Sequence, residues 1–67
     1  MLIVILNLTR GVFTYTTEKY SIEKILSPGK LLEISHRLYH RGWSMSYTTR
    51  KDSTGSDVLD TITLRKP

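Results

Sequence analysis

Residues 27–42, SPGKLLEISHRLYHRG, form the one long stretch of this 67-residue chain that reads as a helix, and the remaining elements arrange themselves around it. Ser27 offers a hydroxyl to cap the first turn, Pro28 fits the opening position where a missing N–H costs nothing, and Gly42 stands where a C-terminal cap is expected. Leu31, Ile34 and Leu38 recur at i, i+3 and i+7 and make an inward stripe, while Lys30, Glu33, Arg37, His40 and Arg41 share the other side. Glu33 and Arg37 can pair at i, i+4. Arg37 and Arg41 also complement the helix dipole. The predicted helix runs from about Pro28 to Arg41.

Beyond Gly42 the period changes to two. Trp43, Met45, Tyr47 and Thr49 alternate with Ser44, Ser46, Thr48 and Arg50, the pattern of a half-buried strand with a hydroxyl-rich outer row. Lys51 to Asp57 is a loop, and Val58 to Leu64 a last strand whose apolar parity is interrupted by Asp60. Ahead of the helix, Leu2 to Leu6 is apolar at both parities, which predicts a central strand covered on both faces. Thr9, Arg10 and Gly11 supply a hairpin turn, and Val12 to about Tyr20 is rich in β-branched and aromatic residues, a second strand. From Ser21 the spacing of Ile22, Ile25 and Leu26 fits one short helical turn or irregular chain. The expectation is an α+β fold, a ββαββ two-layer sandwich: a four-stranded sheet with one main helix packed on one face. Leu2, Val4, Leu6, Leu31, Ile34, Leu38, Trp43, Met45, Ile62 and Leu64 are the predicted core.

Residues 1–67 are enough for one small domain, near the lower limit for folding without a metal or a disulfide. A second copy covering leftover apolar surface, a homodimer, is therefore a further expectation. With no cysteine there is no disulfide framework, thiolate site or thiol nucleophile, a composition that fits a reducing cytoplasm. The apolar start is interrupted by Asn7 and Arg10 well short of the roughly 20 residues a membrane-spanning helix needs, so no membrane is expected as partner.

Charge carries the functional expectation. Lys30, Arg37, Arg41, Arg50 and Lys51 face only Glu33 within residues 30–51, so the formal net charge of +4 is concentrated in one segment along the chain. The candidate partner-binding residues are Lys30, Arg37, Tyr39, Arg41, Arg50 and Lys51: the cations for phosphates, Tyr39 for stacking, with Ser44, Ser46 and Thr48 adding hydrogen bonds. A non-enzymatic, regulatory nucleic-acid-binding protein is the first expectation. A protein-directed inhibitor or adaptor of phage or mobile-element type, using the same basic face against an acidic host protein, is the second.

Chemistry is not expected. His36 and His40 lie at i, i+4 with Glu33 nearby, but no glutamate stands between the histidines as H-E-x-x-H requires, and neither metal nor cofactor is anticipated. No serine lies in a G-x-S-x-G turn, and Ser27-Pro28-Gly29-Lys30 lacks the frame of a phosphate loop. The order helix, glycine, aromatic residue, hairpin resembles that of the small RNA-targeting HicA toxins over less than half of the chain. Those toxins carry a G-S-H histidine on the strand region; neither strand after the helix here has a histidine, so no ribonuclease activity follows.

Overall fold

The computed structural model describes residues 1–67 and contains six elements: β1 (Leu2–Asn7), β2 (Val12–Thr16), β3 (Ser21–Ile25), α1 (Pro28–His40), β4 (Ser44–Lys51) and β5 (Asp57–Lys66). The α+β class and the single helix on a sheet match expectation, but the sheet has five strands rather than four, in the order β3-β2-β1-β5-β4 with every neighbouring pair antiparallel. The additional strand is Ser21–Ile25, expected to be helical or irregular. It pairs along its whole length with β2, Val12 opposite Ile25 and Thr16 opposite Ser21, so β2 ends at Thr16 instead of continuing to Tyr20. The intervening reversal is held by hydrogen bonds between Thr17 and Tyr20.

The pairings decide which residues share a face, because directly opposed residues in antiparallel strands project to the same side. One face carries two apolar rungs, Lys24–Phe13–Leu6–Ile62–Tyr47 and Ile22–Tyr15–Val4–Leu64–Met45. The other carries Glu23–Thr14–Ile5–Thr63–Ser46 and Ser21–Thr16–Ile3–Arg65–Ser44. The helix lies over β1 and β5 on the first face. Val4, Leu6, Leu31, Trp43, Ile62 and Leu64 form the core, with Leu2, Ile34 and Leu38 half-buried against it. Ser35, which the apolar stripe passes over, is also buried, its hydroxyl donating to the Leu32 carbonyl at 2.7 Å. A small residue here lets the helix approach the sheet closely.

Two predictions about cover fail for one reason. β1 is the central strand, yet only one of its faces is covered: Ile5 is exposed and Ile3 half-buried on the open side. Met45, placed in the predicted core, has the inward parity but is 43% exposed, and all eight residues of β4 are exposed. One helix spans about 10 Å of sheet, roughly two strands at 4.8 Å spacing, so inward-facing residues of the edge strands lie beyond its reach.

The helix is capped as its sequence demands. The Lys30 N–H donates to the Ser27 hydroxyl at 3.4 Å, Arg41 is the C-cap, and Gly42 follows at φ 90°. Gly11 closes the first hairpin at φ 69°; its N–H donates to the Asn7 carbonyl, and a Cβ there would stand 3.0 Å from the Leu26 carbonyl oxygen. Asp60 marks a bulge in β5: Thr48 faces Thr61 but Thr49 faces Leu59, leaving Asp60 unopposed by β4. That explains its interruption of the apolar parity. The β4–β5 hairpin continues past the end of β1, giving the molecule extents of 40 × 22 × 18 Å.

Candidate binding surface

The six residues singled out by charge do not form one patch. Lys30 is in the first turn of α1, whereas Arg37, Tyr39 and Arg41 are in its last turn and cap. Arg50 and Lys51 lie at the far end of β4, where the strand from Ser44 to Arg50 spans about 20 Å. All six are exposed.

Three of the five cations among them are matched by carboxylates. Arg37 donates to Glu33 at 2.8 Å across one helical turn, and the Lys51 ammonium sits 2.9 Å from Asp57. The Arg50 guanidinium lies 3.8 Å from Asp60 and donates to the Thr9 hydroxyl at 2.8 Å, while Thr9 in turn donates to Asp60. This relay fixes the projecting hairpin to the first turn. Three of the ten lysines and arginines are thereby paired; Arg10, Lys19, Lys24, Lys30, Arg41, Arg65 and Lys66 are not. Glu18 meets the Met1 ammonium.

Charge counted along the chain leaves Arg50 and Lys51 opposed only by Glu33 within residues 30–51, while Asp57 and Asp60 lie outside that segment. In space the two acids serve Arg50 and Lys51. Arg65 lies opposite Ser44, the first strand residue after the helix cap, and Lys66 lies opposite Leu2. Arg41, Arg65 and Lys66 therefore lie toward the same end of the molecule as Arg37 and Tyr39, with Arg65 on the open face of the sheet and the helix residues on the other side. Tyr39 is exposed there and meets His40 edge-on, the ring centres 6.3 Å apart. Ser44, Ser46 and Thr48 line the open sheet face beside Thr61 and Thr63.

The two histidines and Asp52 have local partners. The His36 and His40 rings stack at 4.3 Å, Glu33 is engaged by Arg37, and no group of three or more His, Asp and Glu side chains gathers as a metal would require. At the hairpin tip the Thr54 hydroxyl donates to Asp52 at 2.6 Å, and the Ser56 and Thr54 N–H groups add 3.0 and 2.9 Å bonds; these hold the Asp52 carboxyl below its usual range. The one sizeable depression, about 370 Å³, is open and lies against β2 and β3, lined by Arg10, Val12, Glu23, Lys24 and Ile25. No helix is long and apolar enough to cross a membrane.

Comparison with protein-family models, curated proteins and solved structures finds no match to this chain.

Proposed function

We propose that this chain is a non-enzymatic regulatory protein that binds nucleic acid through its basic surface, acting in a reducing compartment such as the cytoplasm, which its cysteine-free composition fits. The observation that supports this reading is the set of cations without acid partners toward the end of the molecule where the helix terminates, on both sides of the sheet. Arg41, Arg65 and Lys66 have no carboxylate to release before they meet a phosphate, and Arg37 gives up only an exposed pair of small worth. Tyr39 supplies a ring for stacking, and Lys30 extends the basic surface along the helix. Arg50 and Lys51 take the outer part of the footprint, each reaching a phosphate only in competition with its own carboxylate.

Labelled single- and double-stranded DNA and RNA titrated with the protein at low salt provide the test. Binding to any of them that weakens steeply as salt rises supports the reading. Absence of binding to all of them removes it and leaves the acidic host protein, met by the same cations in a nuclease-resistant complex of fixed stoichiometry, as the partner to seek.

A further inference from the structure

The two edges of the sheet are protected very differently. β3 is a five-residue edge carrying Glu23 and Lys24 at its middle, a common defence against adventitious pairing. β4 is eight residues long, and from Ser44 to Thr49 it has no charge and no proline. Its backbone orientation follows from the ladder. The Leu8 N–H donates to the Asp60 carbonyl, which makes even-numbered residues of β1 and β5 partners in hydrogen bonding. By the alternation of antiparallel ladders, odd-numbered residues of β5 then bond to β4 through Ser44, Ser46 and Thr48. Met45 and Tyr47 are left with N–H and C=O groups pointing away from the sheet.

We infer that the free edge of β4 pairs antiparallel with β4 of a second copy about a two-fold axis at Ser46, joining two five-stranded sheets into one of ten. A two-fold axis normal to the sheet opposes residues whose numbers sum to twice that of the central residue. Centred on Ser46, it sets Met45 against Tyr47 of the other copy twice, and Ser44 against Thr48 twice. The Met45–Tyr47 pairs are the hydrogen-bonded ones, so all four free groups of each copy's Met45 and Tyr47 are satisfied. Their side chains, 43% and 65% exposed in the single chain, form a thioether–aromatic row on the helix side, while hydroxyls meet on the open face. Centring on Tyr47 instead would bring Arg50 against Ser44 and leave the apolar pair unmatched.

The uncharged run from Ser44 to Thr49 admits a second copy in this register. Chains of net charge +4 repel one another, and β4 is the edge that lets two of them meet without opposing like charges inside the paired segment. At the margins Arg50, held near Asp60, falls opposite Gly42, and Lys51, paired with Asp57, falls toward Arg41 of the other copy. A seam of one strand per copy lies at or below the low end of the roughly 1,200–2,000 Å² typical of stable complexes, so the dimer is weak. Rising salt screens the repulsion and tightens it, opposite in sign to nucleic-acid binding.

Sedimentation of the protein in the absence of nucleic acid, together with directed cross-linking, tests this independently of the function proposed above. The chain has no cysteine, so Ser46→Cys introduces a single thiol. Across a non-hydrogen-bonded pair the Cα atoms stand about 4.5 Å apart, within disulfide range. Ser46→Cys should form a covalent dimer under mild oxidation at least tenfold faster than Ser53→Cys in the exposed hairpin tip. Ser44→Cys should cross-link with Thr48→Cys but not with itself. Tyr47→Pro, which removes an outward N–H and no bond to β5, should keep the native circular dichroism and lose the dimer. A wild-type chain that stays monomeric to about 1 mM, or a Ser46→Cys variant no faster than the Ser53→Cys control, overturns the inference.

Discussion

Leu6, Leu31, Leu64 and Val4 are the fully buried side chains, and so few carry most of the packing that each is individually costly to lose. Leu64→Ala should destabilise by about 2–5 kcal/mol. For a chain of 67 residues the total is roughly 3–10 kcal/mol, so chemical denaturation of this variant should show a strongly lowered midpoint. Asp52 gives a second prediction at this scale. Its carboxyl is held low in the folded protein, so it contributes stability above the ordinary aspartate range, and that contribution is lost as pH falls through the lowered folded value. The Thr54 and Ser56 amide resonances should report a titration midpoint below about 3.9, and Thr54→Val should move it upward by removing the leading donor. An unchanged midpoint in that variant would contradict the assignment. These residues were readable to different degrees. Val4, Leu6, Ile62 and Leu64 follow from parity and strand length; Ser35 does not, because a buried serine is defined by how closely helix and sheet approach.

Among the elements, α1 was the most legible, since its cap, stripe and terminal glycine all lie within one continuous segment. Ser27→Ala should lower stability by about 1 kcal/mol, measurable as a shifted denaturation midpoint with the helix otherwise retained. β3 was not legible. Ile22 and Ile25 are three apart as on a helix turn, and both are exposed, Ile25 at 86%, so no alternation marks a buried side. What makes Ser21–Ile25 a strand is the partner β2 offers, a tertiary cause that outweighs local spacing. β4 shows the complementary case: its period of two was visible and correct, but parity states only which face a side chain takes. Whether that face is covered depends on where the strand falls in the sheet, and the order β3-β2-β1-β5-β4 puts it at an edge.

For the whole molecule, the decisive quantity is where charge lies in space. Along the chain the excess concentrates between Lys30 and Lys51; folded, the bulge and the projecting hairpin give Arg50 and Lys51 their own acids, while Arg41, Arg65 and Lys66 stay unpaired toward the end of the molecule where the helix terminates, Arg65 on the open sheet face. The positive sign and the place of Arg37, Tyr39 and Arg41 at the end of the helix were available from sequence. The contribution of Arg65 and Lys66 depends on a pairing register that links residues more than twenty positions apart. Two pairs of equal formal charge therefore differ in what surrounds them: Arg41 and Arg65 lack acid partners, Arg50 and Lys51 have them. The most direct measurement is the slope of log affinity against log salt for a labelled oligonucleotide, taken for the wild type, for Arg41→Gln with Arg65→Gln, and for Arg50→Gln with Lys51→Gln. The first double variant should flatten the slope by about 1.4–1.8, two phosphate contacts at 0.7–0.9 each, and the second by clearly less. Equal flattening by both pairs, or a larger effect from Arg50 and Lys51, would contradict it.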